Sequence, residues 1–398
     1  MVIRIFQKSP NLNSGESKMK YFFFLALSCL CATTACTETQ KTIRVTVVNP
    51  ATFDREHEMV EIAWTTVCEK LSLQDGQSVV VHNDASEEIP CQLITEGNEV
   101  PVSLIFPVSL AGNGKNEYRI TVGKPAHVDP MTYGRFVPER KDDFTWENNR
   151  SAFRVYGPAL EATGEISNGM DFWAKRTDAL VIDRWYKDDL AGIRSYHEDH
   201  GEGLDFYKVG RTLGLGMTAP YVNDSLWLGN NFTEYRILDQ GPLRIAFELR
   251  YKPYNVQGFE VNETRRISLD AYSYLNRIEQ IFEADTAEMT LATGIVLHAQ
   301  TPEDILSDAE NGIMACETPT DSINGTIYAG VIRPESFREI RTGHGHLLGI
   351  SPYRTKTNYV YYAGAGWSKA GFDNFAAWID FLKQKTRKIK QPLKINVE

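Results

Sequence analysis

Apolar and polar positions along this chain alternate with a period of two far more often than with the period of a helix. Thr42–Val48 (TIRVTVV) alternates and stops at Asn49-Pro50. Short strands are predicted at Val79–Val81, Cys91–Ile94, Val102–Phe106 and Glu117–Val122, divided by the turn signals Asp75-Gly76 and Gly112-Asn113-Gly114. The clearest alternation follows Gly241-Pro242: Leu243, Ile245, Phe247, Leu249 and Tyr251 share one face, while Arg244, Ala246, Glu248 and Arg250 share the other. That is the pattern of an antiparallel strand with one face buried. Phe259–Leu269, Leu275–Phe282, Leu291–His298 and Tyr359–Ala363 add further strands. Helical spacing shows once, in Phe372, Phe375, Ala376, Ile379 and Leu382, and predicts an amphipathic helix over Asp373–Thr386.

The segment Pro125–Pro138 holds three prolines and little periodicity, and reads as a linker over 125–140. The expected fold is mainly β: a small all-β domain over 41–124, then a large antiparallel β-sandwich over 141–398 with a C-terminal helix. No repeat, coiled coil or low-complexity tract interrupts it.

The N-terminus is of another kind. Lys18 and Lys20 flank an apolar run from Tyr21 to Cys31, and Ala32–Ala35 lead to Cys36. A charged start, a short apolar stretch and small residues before a cleavage point describe an export leader over 1–35, with Met19 as the start. The run is too short to span a bilayer. Thr-Thr-Ala before Cys36 resembles a lipoprotein lipobox, with Thr33 where leucine is usual. Lipidation of Cys36 is therefore expected, with plain secretion as the alternative. The protein is then exported, a periplasmic or outer-membrane lipoprotein of a Gram-negative bacterium that meets the membrane through its lipid anchor only.

Composition narrows the function. The 398 residues are 42% hydrophobic and 24% charged, with a formal net charge of −10; this is ample apolar material for a core and excludes a disordered chain. The leader holds Arg4, Lys8, Lys18 and Lys20 against Glu16 alone, so its removal makes the charge more negative. Nucleic acid is a poor partner for such a chain, because its binding rests on neutralising phosphates. The basic run Lys383, Lys385, Arg387, Lys388, Lys390 reads as the solvated end of a helix. Beyond Cys36, the cysteines Cys68, Cys91 and Cys316 form no CxxC pair. Walker, GxSxG and helix-opening GxGxxG motifs are absent.

Candidate chemistry concentrates in Tyr196–Lys208 (YHEDHGEGLDFYK), where Gly201 and Gly203 argue for a loop or strand edge. A solvated acidic turn is the plainer alternative. His197, His200, Glu202 and Asp205 have mixed ligand chemistry but no strong metal spacing. No cofactor is expected, with calcium on the carboxylates as the alternative. In WENNRSAFRVYG (Trp146–Gly157), Trp146, Glu147, Arg150 and Arg154 suit a sugar bearing a carboxylate, or else a structural ion pair. Lys175 is a weaker basic partner. His298, closing an apolar strand, is as suited to a core as to catalysis, and so are His344 and His346. Trp367, ending YYAGAGW (Tyr361–Trp367), fits a stacking platform or core packing.

Those stretches, WENNRSAFRVYGP, YHEDHGEGLDFYKVG and YYAGAGW, resemble an uncharacterised family of exported bacterial proteins encoded among polysaccharide-degradation genes, often pectin-related. The resemblance covers most of the second unit. It implies the galactose-mutarotase-like β-supersandwich, a fold that hosts sugar epimerases, lyase domains and non-catalytic sugar-binding domains. The short catalytic signature of mutarotases is not found here. The expected partner is an acidic oligosaccharide or polysaccharide, and the expected reaction is β-elimination or glycosidic cleavage at a uronic acid. In elimination His200 or His197 is the base, Tyr207 the acid, and Lys208 with Arg150 the carboxylate partners. In hydrolysis Glu202 and Asp205 are the acid/base pair. A non-catalytic glycan-binding lipoprotein is the competing reading.

Overall fold

The alternation in Thr42–Val48 places Ile43, Val45 and Val47 inside a core with Val60, Ile62, Leu104 and Phe106. In the computed structural model, which describes residues 41–398, this strand sits in a five-stranded sheet ordered 394–397, 42–48, 115–122, 79–82, 88–89. The leader assigned to 1–35 and Cys36 lie outside the described residues. A three-stranded sheet (55–63, 103–110, 92–94) packs against it. Between them runs an eight-residue helix, Trp64–Leu71, that alternation does not reveal. Trp64, Val67 and Leu71 are its buried residues, at helical rather than strand spacing, but its β-branched Thr65, Thr66 and Val67 imitate a strand.

The remaining strands form antiparallel sheets, and the chain is mainly β with a few short helices, an arrangement consistent with a β-sandwich. The largest sheet runs in the order 232–240, 244–251, 259–270, 275–284, 359–367, 327–332, 313–317, 305–308. The alternation read from the sequence sets its register: Phe247 opposes Ile267, Ile267 opposes Ile278, and Ile278 opposes Tyr361. All four are buried, with exposures of 0–1%. This row belongs to one core with a five-stranded sheet (225–226, 215–222, 288–296, 346–354, 339–343), which contributes Leu291 and Ile295 from one face and Met217, Leu348 and Ile350 from the other.

A second five-stranded sheet, 203–205, 171–175, 151–155, 143–148, 132–137, carries most of the candidate residues. Its edge strand needs Gly203: φ is +121° there, and a Cβ would come within 1.9 Å of the Ala174 carbonyl.

The predicted C-terminal helix spans Phe375–Lys390, capped by the Asn374 side chain on Ala377 N (2.9 Å). Its Trp378 and Leu382 pack with Tyr328 and Phe372 against the large sheet. The chain then returns to the first described strand, because Lys394–Val397 pairs antiparallel with Thr42–Val48, Val397 opposite Val45. Gln92 ties the N-terminal sheets to the large one, with Oε1 accepting from Leu243 N and Arg244 N (2.9 and 2.8 Å).

Candidate functional site

Strand 143–148 alternates its side chains between two interiors. Trp146 is fully buried, stacked near Phe153 and donating from Nε1 to Asn276 Oδ1 (2.7 Å). Glu147 faces the other way and pairs with Lys175 (2.5 Å), neither side chain having any exposure. Its second oxygen accepts from Val181 N and Ile182 N (2.7 and 2.8 Å), capping the helix Ile182–Leu190. Lys175 Nζ also donates to the Asn148 carbonyl (2.7 Å). Trp146, Glu147 and Lys175, expected to touch substrate, are thus building material. Arg150 lies at the hairpin tip and pairs with Asp178 (3.2 Å).

Arg154 is buried in a ring of carboxylates, with Asp171 at 2.5 Å, Asp205 at 2.7 Å and Asp143 at 3.9 Å. The rings of Trp173, Tyr156 and Tyr196 enclose its guanidinium at 5.3–5.8 Å. Burial outweighs that attraction at two of the acids: it pushes Asp143 up to about 7, and burial with neighbouring Asp171 raises Asp205 far above the usual carboxylate range.

The segment Tyr196–Lys208 therefore does not converge on one cavity. Asp205 is committed to Arg154. Glu202 makes a bidentate pair with Arg184 (2.6 and 2.8 Å), which holds its pKa down. His197 is exposed beside the Asp205 carbonyl (2.9 Å), and His200 is exposed beside the Ser195 carbonyl (3.2 Å). The hollow lined by His200, Glu202 and Tyr196 amounts to about 20 Å³, less than a sugar needs. Tyr207 is buried and its hydroxyl donates to the Gly214 carbonyl (3.4 Å), so it is tied to the core rather than poised as a free acid. The pairing of Glu202 with Asp205 as hydrolytic carboxylates finds no common space.

What the end of the segment does form is a cleft of about 340 Å³, lined by Phe206, Tyr207, Lys208, His298, Thr318, Thr320 and Asp321. His298 arrives from the end of strand 288–296, and its half-buried ring packs edge-on to Tyr207 (5.7 Å). The imidazole Nε2 lies 2.7 Å from the Lys208 carbonyl. A carbonyl only accepts, so Nε2 carries the hydrogen and Nδ1 is left with a free lone pair. Burial lowers the His298 pKa, keeping the ring neutral at pH 7. Its backbone N–H is held by Gln300 Oε1. Asp321 accepts from Ile323 N and Asn324 N (2.8 and 2.7 Å), which keeps it ionised, with Lys369 and Lys208 as its nearby cations. At the cleft's edge, Phe206 meets Trp367 (6.3 Å). Trp367 itself is 1% exposed, covered by Arg176 (5.7 Å) and Lys369 (5.9 Å), and it is core packing rather than an open platform.

The sequence placed Tyr207 and Lys208 together in one segment and His298 apart from them; Thr318, Thr320 and Asp321 were missed. Their signal was present in TPTDSING, a polar stretch whose Asp-Ser-Ile-Asn-Gly order is a side-chain-stabilised turn. Among the described residues, no three His, Cys, Asp or Glu side chains gather as a metal site, and no helix is long and apolar enough to cross a membrane.

Residues 47–395 match a sequence family described as "Domain of unknown function (DUF4861)". An uncharacterized protein, P7, of Formosa agariphila is 28% identical over 404 residues, covering 94% of this chain and 98% of the relative. Among solved structures, a protein in the glycosyl hydrolase family 38 from Enterococcus faecalis has a TM-score of 0.51 at 8% identity. An α-mannosidase from Enterococcus faecalis V583 has a TM-score of 0.51 at 9% identity. Both cover 90% of this chain, which spans about half of their own length, 47% and 46%. At that identity the likeness concerns the fold alone.

Proposed function

The chain belongs to the DUF4861 family, and we propose that it is a carbohydrate-active enzyme that cleaves uronic-acid-containing oligosaccharides, pectic ones included, by β-elimination in the cleft at His298. The observation that carries this reading is the locked tautomer of His298 beside Lys208. Elimination needs a neutral base at the proton next to the sugar carboxylate and a cation to stabilise the charge developing there. Nδ1 of His298 supplies the first, and the Lys208 ammonium the second. The proton passes to Nδ1, its electron pair forms the new C4–C5 double bond, the C4–O bond breaks, and the leaving oxygen takes a proton from water. The imidazolium then returns its proton to solvent.

Hydrolysis by paired carboxylates fits less well, since Asp321 is the one carboxylate among the residues lining the cleft and that chemistry uses two. The two solved neighbours, a protein in the glycosyl hydrolase family 38 and an α-mannosidase, keep a sugar ligand in view for this fold. Export and lipidation at Cys36 belong to the same reading, placing the enzyme where polysaccharide fragments arrive.

The test is to incubate the protein with a panel of uronate-containing oligosaccharides and follow absorbance at the unsaturated-uronide band. Product is expected, and His298→Ala is expected to lower kcat/KM by about 10²–10⁴-fold, the usual weight of a general base, with an unchanged melting temperature. Calorimetric binding of the same sugars without product would replace the enzyme by a glycan-binding protein.

A further inference from the structure

The C-terminal helix carries a second feature that the cleft at His298 does not use. Its buried stripe is Trp378, Leu382 and Thr386. At 100° per residue, Lys383, Arg387 and Lys390 fall on one flank of that stripe, and Lys385 and Lys388 on the other. Each flank borders a hollow. Lys385 and Lys388 line a groove of about 540 Å³ whose floor is the outer face of the large sheet, with Ser268, Ser273 and Tyr362 exposed to it. Lys383, Arg387 and Lys390 line another of about 320 Å³ with Asn311 and Asp308. Both volumes lie in the range of ligand sites.

None of these five cations forms an ion pair within 4.0 Å among the described residues. Four of the five acids of the larger groove are already engaged: Glu61 and Asp270 hold Arg244 (3.0 and 2.6 Å), Glu279 holds Arg277, and Glu58 holds Arg55 (2.6 Å). Glu96, exposed on its wall, forms no ion pair within 4.0 Å among the described residues and offsets one of the lysines. Lys388 is half-buried without gaining a partner, and burial lowers its pKa in spite of Glu58 opposite. Compensation of the helix dipole explains basic residues in the last turn. It does not explain Lys383 and Lys385, which stand earlier, or the hollows beside them.

We propose that this helix and its two flanking grooves form a second binding site for an extended polyanionic glycan, a strand of uronate polymer lying across the helix with carboxylates on both rows of cations. The recessed, hydroxyl-lined walls and the split of the cations over two flanks favour a threaded chain over a flat lipid surface. The choice of a uronate polymer rests on the proposed function; the site itself does not.

The experiment uses full-length His298→Ala protein, so that polymer is not consumed, and measures binding of polygalacturonate and alginate by calorimetry. Binding is expected, weakening as salt rises. The variants K385Q/K388Q and K383Q/R387Q/K390Q, added to that background, are each expected to weaken it about tenfold with unchanged melting temperature. Unchanged affinity in both variants, or no binding of either polymer, overturns the proposal. Equal or stronger helix-dependent binding to phosphatidylglycerol vesicles overturns it in favour of a membrane contact. The same helix variants carrying native His298 should keep turnover of short substrates, so a failure here is distinguishable from a failure of the cleft assignment.

Discussion

Single residues in this protein divide by whether burial left their polar atoms a partner. The Lys175–Glu147 pair is wholly buried and fully bonded, so removing one member strands a charge. Lys175→Ala is expected to cost about 3–5 kcal/mol, read as a lower urea midpoint. His346 is a second buried case. Its Nδ1 lies 2.6 Å from the His344 carbonyl and must donate to it, leaving Nε2 to accept from Leu213 N (3.0 Å). Burial lowers its pKa below the ordinary 6.5. The unfolded chain therefore takes up a proton near pH 6.5 while the folded one resists. The contribution of His346 to stability is complete above that pH and falls as the pH drops through it, opposite in sense to Asp143, whose raised pKa adds stability as the pH falls below about 7. In thermal melts between pH 8 and 5, the melting temperature of His346→Gln relative to the unsubstituted protein should rise as the pH falls, because the variant lacks this loss. On the proposed mechanism the depressed pKa of His298 predicts the same sense for turnover: activity is expected to hold at neutral pH and to fall on acidification as the ring protonates, read from a pH–rate profile.

Among elements, the C-terminal helix shows how much of a segment is written locally. The apolar spacing of Phe372, Phe375, Ala376, Ile379 and Leu382 predicted the helix, but its buried stripe is Trp378, Leu382 and Thr386; Phe375 and Ile379 are half-buried and Ala376 is exposed. Asn374→Ala removes the cap on Ala377 and is expected to cost about 0.5–2 kcal/mol. Trp378→Ala empties a fully buried site and is expected to cost about 3–5 kcal/mol; chemical denaturation ranks the two. The strand Arg244–Tyr251 was equally legible on its buried side. Its polar side was not: Glu248 is 5% exposed, held between Arg250 (3.1 Å) and Arg266 (2.9 Å). A period of two separates the faces of a strand but does not say which neighbours cover the polar one.

At the scale of the whole molecule, the decisive contact is between the first and last described strands. Strand 394–397 completes the sheet that begins at Thr42, and Arg55, fully buried, donates to the Gln391 carbonyl where the helix gives way to that strand. Truncation after Gln391 leaves Thr42–Val48 with one open edge. Amide exchange of residues 42–48 is expected to accelerate while the core row at Phe247, Ile267 and Ile278 stays protected. Circular dichroism should retain the β signal.

By itself the sequence determined the β class, the apolar face of each alternating strand, the C-terminal helix and the basic residues along its end, because these depend on side chains a few positions apart. It also marked Lys208 and His298 as chemically able. The tertiary structure decided which of the marked residues are free. Glu147, Lys175, Arg154 and Asp205 are of types suited to a sugar carboxylate or to catalysis, yet they are held in buried pairs, while Lys208, His298 and Asp321 line one cleft. Those partners come from strands far apart in the chain, and local spacing holds no record of a pairing that only the sheet order creates.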